Sequence, residues 1–269
     1  MGAIAGPLRA AARRAGIRRS HLAAARMQAE REVLALIAAR HSASHGRILC
    51  YHSVGTPAWG VNDVGPDRFR SQLELALRSG HCFVPASAIA GGKGSSNDVA
   101  VTFDDGVMSA ATVAAPILAE YGIPWTLFVV TDWADGRHGL GDGVLMGWTE
   151  VERLAGRGVE IGSHSVSHPD FGLLGADLAT HELVESRQVI EARVGIRPEA
   201  FAIPMGQSGN WTPGAQAAAR GAGYKDVYAQ SVIRRPAGTI PRTFITRFDD
   251  RRLFGAALSG AFDGWEEWI

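Results

Sequence analysis

The sequence predicts an α/β protein: a distorted (β/α)7–8 barrel preceded by a helical extension. Three observations predict it. Short apolar runs that read as buried strands alternate with helical patterns along most of the chain, the signature of βα units on a mainly parallel sheet. At 269 residues, with 46% hydrophobic and 20% charged side chains, the chain is long enough for one barrel with a sizeable core. Polar residues also recur at the C-terminal ends of the expected strands, the face on which parallel barrels build active sites.

The elements follow in order. Residues 1–46 carry Arg9, Arg13, Arg14, Arg18, Arg19, Arg26, Arg31 and Arg40 against only Glu30 and Glu32. Good helix formers from Leu22 to Arg40 predict a helix, which "HSASHG" ends. We read residues 1–46 as a basic helical extension outside the main domain, and residues 47–269 as the barrel with a C-terminal tail. The extension is expected to pack on the barrel or on a second subunit; peripheral contact with a membrane surface is the alternative.

"RILCYHSV" (47–54) is the first strand. "PDRFRSQLELALRSG" (66–80) is a helix with Pro at its start and Gly past its end. "HCFVPAS" (81–87) and "VAVTFDD" (99–105) are strands flanking a flexible loop, "GGKGSSND". A helix closed by Gly122 leads to the strand "WTLFVV" (125–130) and then to a Gly- and Asp-bearing functional loop over 131–147. "WTEVERLAGRG" is a short helix with Thr149 as its cap, and "VEIGSHS" (159–165) a strand. A long amphipathic helix ends at Gly195. "AFAIP" (200–204), "DVYAQ" and "TFITRF" (243–248) are the last strands, with the helix "TPGAQAAARGAG" after the first of them.

The bulk numbers exclude several classes. The formal net charge is zero, so no global field draws the chain to nucleic acid. Cys50 and Cys82 form no CxxC pair and are expected to be buried core thiols. No apolar run reaches membrane-span length, and no export signal is visible. The expected location is the cytoplasm or the inner membrane face.

The chemistry gathers at the strand ends. His52 ends the first strand, and Asp104 and Asp105 end the third. Asp132 and Trp133 follow the fourth, His164 and His168 lie at the fifth, and Pro204, Met205 and Gly206 follow the sixth. One Asp with His164 and His168 is a recognisable ligand set for a catalytic divalent metal with open positions. Adjacent strand residues point to opposite sides, and a turn at Gly106 would bring both acids to one pocket, one to bind metal and one to take a proton. Singly, each signal has an ordinary explanation: a solvated turn, chance spacing, a buried histidine. Their convergence on one face favours a site.

"VTFDDG", "GSHSVSH" and "FAIPMG", in that order, resemble the motifs of polysaccharide deacetylases, carbohydrate esterase family four. "ILCYHSVG" resembles the poly-N-acetylglucosamine deacetylase branch, in which the barrel is circularly permuted. The resemblance spans roughly residues 47–250. It implies Asp105, His164 and His168 as ligands of one divalent metal, zinc first, with iron, cobalt or nickel as alternatives. It implies Asp104 as general base, His52 as general acid and the Met205 backbone N–H as oxyanion donor. Pro204, Gly206, Asp132, Trp133 and Arg247 are placed with the substrate-binding residues, Trp133 either to stack on a sugar ring or to pack into the core. The implied substrate is an N-acetylated amino sugar in a glycan, oligosaccharide or lipid-linked intermediate.

Three departures stand out. Ala202 replaces the family's usual Arg, Ile203 its Tyr, and Met205 an aromatic residue. Arg242 or Arg247 is the expected substitute for the missing Arg. These departures also motivate two rival readings: a carbohydrate-binding protein that has lost catalysis, and a deacylase releasing another group such as formyl.

Overall fold

The computed structural model describes residues 19–41 and 43–266; Arg9, Arg13, Arg14 and Arg18 lie outside the described residues. Helix α1 (Arg19–Ile37) precedes strand β1 (Arg47–Tyr51). A small parallel pair follows, β2 (Ser53–Val54) and β3 (Asp63–Val64), and then α2 (Pro66–Arg78), β4 (Cys82–Phe83), α3 (Ala86–Ala90) and β5 (Asp98–Phe103). A π-helical turn (Ala110–Ala114) runs into α4 (Ala115–Glu120). Next come β6 (Trp125–Val129), α5 (Thr131–Ala134), α6 (Trp148–Ala155), β7 (Glu160–Ser163) and α7 (Ala176–Val194). The chain ends through β8 (Ala200–Ala202), α8 (Pro213–Ala222), β9 (Asp226–Tyr228), β10 (Thr243–Phe244) and α9 (Arg251–Leu258).

The main sheet is parallel and ordered β10–β1–β5–β6–β7–β8–β9, with β4 beside the start of β5. Its two ends meet. Ile240, just ahead of β10, bridges in parallel to Tyr228 of β9, so the seven-strand path closes into a barrel. The strands read as continuous apolar runs because helices cover them outside and side chains fill them inside. Ile48, Ala100, Phe128, Ala202 and Tyr228 form the barrel's inner cluster. Caps set helix ends: Thr212 accepts from the Ala215 N–H, Asp250 from those of Arg252 and Leu253, and Gly195 closes α7 in a left-handed turn.

Several expectations change. "RILCYHSV" splits into two strands at His52, which frees that side chain from the ladder. "HCFVPAS" holds only two strand residues, because Pro85 has no N–H to give a ladder and the chain turns into α3. Thr149 is not the cap of α6; Gly147 holds that position. Cys50 is buried as expected, but Cys82, on a two-residue strand, is exposed. The loop 131–147 opens with α5 and is tied down by an antiparallel bridge from Leu145 to Val107.

Helix α1 packs on α9; its Met27 and Ala35 are buried, and its Arg31 is completely buried. Arg31 forks onto Asp249, Nε to Oδ1 at 2.8 Å and Nη2 to Oδ2 at 2.7 Å, and also donates to the Phe244 carbonyl. Its guanidinium lies over the Phe262 and Trp265 rings. Among the described residues, no helix is long and apolar enough to cross a membrane.

Candidate active site

The adjacent acids sit just beyond β5. Asp104 continues the ladder, its N–H bonding to the Tyr51 carbonyl at 3.0 Å. Asp105 then takes a left-handed conformation (φ 70°), as does Gly106 (φ 70°). Strand alternation alone would send the second carboxylate away from the first. The reversal at Asp105 itself, not only the expected turn at Gly106, brings both into one pocket. The turn is clamped from the far side by the 131–147 loop, with the Met146 N–H on Gly106 O at 2.8 Å.

The histidines come from the end of β7. The His164 N–H bonds to Val129 O, and its Nδ1 donates to Ala202 O at 2.9 Å, which leaves Nε2 bare and aimed at the acids. His168 reaches the same point because Ser165 (φ 73°) and His168 (φ 60°) are both left-handed and the loop is pinned by Glu182. That carboxylate accepts from the Val166 and Ser167 N–H groups and from Ser167 Oγ. Among the described residues, Asp105, Ser165, His168 and Met205 are the non-glycine residues at positive φ, and every one lies in a motif of the site. Strain of about 1–3 kcal/mol per residue is held by the surrounding fold, a pattern typical of functional positions.

The resulting geometry fits a metal ion. Asp105 Oδ1 lies 3.5 Å from His164 Nε2 and 3.5 Å from His168 Nε2, about the spacing of donors around one small cation. Asp105 Oδ1 is buried and has no hydrogen-bond partner, leaving an oxygen that a cation between the two imidazoles would satisfy. Burial pushes the His164 pKa down to about 4, so its imidazole is neutral and able to ligate near pH 7. The donor set of one carboxylate and two imidazoles leaves the remaining positions open.

Asp104 is held differently. Arg242 forks onto it, Nη1 to Oδ1 at 2.6 Å and Nη2 to Oδ2 at 2.8 Å. Burial raises its pKa, but the Arg242 guanidinium outweighs that, aided by His164 and His52, and holds it well below the usual carboxylate range. Arg242 is itself fixed by Thr102 Oγ1 and the Ala229 carbonyl, and lies over the Phe128 ring. Ala202, where the family's usual Arg would stand, is a small residue of the barrel's inner cluster. Of the two arginines expected to replace the family's motif Arg, Arg242 meets Asp104. Arg247 is exposed and lines a separate cavity of about 410 Å³ with Pro57, Asp63, Pro66 and Arg68.

His52 does reach the site. A ring nitrogen of His52, Cys50 Sγ and a carboxylate oxygen of Asp104 lie within 4.8 Å of one another. Phe244 packs edge-on against the imidazole, and His52 Nδ1 has no partner. Cys50 Sγ sits 3.4 Å from Asp104 Oδ2, and burial keeps its thiol protonated. Met205 (φ 62°) projects into the turn after β8, between buried Pro204 and Gly206. At Gly206 a Cβ would meet Gln230 at 2.4 Å, so no larger residue fits. Trp133 is engaged already, stacked on the His168 ring with centroids 5.2 Å apart. The Asp132 carboxylate pairs with Arg137. Glu182 and Cys50 were not anticipated; only the position of Glu182 on the inner stripe of α7 could have hinted at its role.

A model of the polysaccharide deacetylase family matches residues 91–227, just over half of the chain. The chitooligosaccharide deacetylase of Sinorhizobium fredii is 35% identical over 106 residues, which cover 38% of this chain and 42% of that protein. YlxY of Bacillus subtilis is 30% identical over 91 residues, 34% of this chain and 25% of that one. The chain therefore spans less than half the length of these curated relatives. Among solved structures, the Streptococcus pyogenes deacetylase PplD in complex with acetate superposes with a TM-score of 0.69 at 21% identity, covering 80% of this chain and 98% of that one. IcaB from Ammonifex degensii superposes with a TM-score of 0.68 at 23% identity, covering 82% and 100%. At these identities the superpositions establish the shared barrel. Together with the family match, they make this chain a member of the polysaccharide deacetylase family.

Proposed function

We propose that this chain is a metal-dependent hydrolase that removes N-acetyl groups from an amino sugar in a glycan, oligosaccharide or lipid-linked intermediate. One observation carries the reading: the unpartnered Asp105 oxygen midway between two imidazoles, beside a second carboxylate that an arginine keeps ionised.

Asp105, His164 and His168 would hold a divalent cation, zinc first and iron, cobalt or nickel as alternatives. Such a cation supplies Lewis acidity, lowering the pKa of water from about 15.7 to about 7. The acidity matters here because Asp104, pinned by Arg242, is a weak base and accepts a proton only from a donor more acidic than bulk water. Asp104 takes that proton as the water attacks the acetamide carbonyl. The Met205 N–H, in the left-handed turn after β8, would donate to the developing oxyanion; one such donor is typically worth about 3 kcal/mol of barrier. His52, buried beside Asp104, protonates the departing amine, and acetate leaves. Because Arg242 makes good the loss at Ala202, that departure no longer argues for a non-catalytic carbohydrate binder.

The test is acetate release from N-acetylglucosamine oligomers and lipid-linked acetylamino sugars. Release should stop on chelation and return with added Zn²⁺, Fe²⁺, Co²⁺ or Ni²⁺. No release with any of these metals on any of these substrates would refute the reading. In parallel, His168→Ala should lower bound metal measured by elemental analysis to well under half of the wild-type stoichiometry. Full occupancy would remove His168 from the ligand set.

A further inference from the structure

The loop that carries both histidines hangs on one helix. Two buried side chains of α7, Glu182 and Ser186, stand one turn apart and hold it. Glu182 Oε2 accepts from the Val166 N–H at 2.8 Å and the Ser167 N–H at 3.0 Å, and its Oε1 accepts from Ser167 Oγ at 2.7 Å. Ser163 Oγ donates to Ser186 Oγ at 2.8 Å and accepts from the Ser165 N–H at 3.2 Å. Ser165 Oγ then accepts from the His168 N–H at 2.9 Å. Hydrogen bonds therefore run without a break from the helix to the residue that bears the second imidazole.

The two histidines depend on this support unequally. The His164 ring is fixed in the barrel wall by its own bond to the Ala202 carbonyl. His168 lies at the far end of the loop, and its backbone and that of Ser165 are both left-handed, a conformation that residues with a Cβ keep only when their surroundings impose it. Released from α7, the loop would relax and carry the His168 imidazole away from Asp105 Oδ1, now 3.5 Å from it. Metal binding would then have to order the loop, and that ordering would be subtracted from the affinity.

We propose that Glu182 is a positioning residue that sets the metal affinity of the pocket by holding the 164–168 loop in its ligating shape, through its hydrogen bonds and not its charge. The proposal rests on the metal-dependent reading above. All three partners of the carboxylate are neutral groups. A glutamine could keep every one of the bonds, its amide oxygen accepting from both N–H groups and its NH2 donating to Ser167 Oγ, which can accept as well as donate. An alanine keeps none.

The experiment is isothermal titration calorimetry of Zn²⁺ into the metal-free, full-length protein and its variants, each first shown by its thermal melt to be folded. Glu182→Ala should weaken binding about 10–100-fold, the usual worth of an outer-shell partner, and Glu182→Gln should recover most of that loss. Should Glu182→Ala fail to fold, Glu182→Asp takes its place; it keeps the charge but draws the acceptors back by one methylene, and should bind Zn²⁺ more weakly than Glu182→Gln. Wild-type affinity in Glu182→Ala overturns the proposal alone. So does a Glu182→Gln protein that binds as weakly as Glu182→Ala or more weakly than Glu182→Asp, which would assign the effect to charge. A wild-type protein that binds none of Zn²⁺, Fe²⁺, Co²⁺ and Ni²⁺ overturns the metal-dependent reading and this proposal with it.

Discussion

Asp104→Asn is expected to lower kcat/KM for acetate release by about 10²–10⁴-fold, the usual worth of a positioned general base. The amide keeps the size of the side chain and can still accept from Arg242, but it cannot take the proton. Asp105, His164 and His168 are untouched, so metal content should stay at the wild-type level. That pairing of outcomes separates a base from a ligand. A variant with activity within tenfold of wild type would show that the proton goes elsewhere; a variant lacking metal would show that Asp104 belongs to the ligand set.

Arg31→Ala carries the largest expected loss of stability. Both Arg31 and Asp249 side chains are fully buried, and Asp249 also accepts from the Thr246 N–H and hydroxyl. Removing the arginine alone strands a carboxylate in the interior, which typically costs about 3–5 kcal/mol. Removing the pair together is much milder, so Arg31→Met combined with Asp249→Asn should recover most of the loss. Urea denaturation of the three proteins measures it. A loss under about 1 kcal/mol for Arg31→Ala would mean that water reaches the stranded acid.

The sequence made some of these features legible and hid others for definite physical reasons. The alternation of strands and helices and the face that carries the pocket were readable because apolar runs and strand-end polar residues are local signals, and both carboxylates and both histidines of the pocket were found that way. The different settings of Asp104 and Asp105 depend on a left-handed residue at Asp105, which strand alternation does not predict, so the roles proposed for the two acids came from the family resemblance. Choosing Arg242 over Arg247 required knowing that the barrel closes beside residue 240, a contact between distant parts of the chain. Arg31 read as one more surface cation in a basic segment, because buried arginines have no sequence mark apart from their partners. Strand lengths were overestimated at 81–87 and 243–248, where a ladder of two residues suffices once flanking hydrogen bonds and packing complete the wall.

One five-residue stretch serves two purposes. Ile240 welds the last wall of the cylinder to β9, Thr243 and Phe244 weld it to β1, and Arg242 between them reaches inward to grip Asp104. The mechanical seam is thus also the electrostatic keystone. Any loosening there, well short of global unfolding, would release the guanidinium from Asp104, so the chemistry proposed for that carboxylate should fail before the fold does.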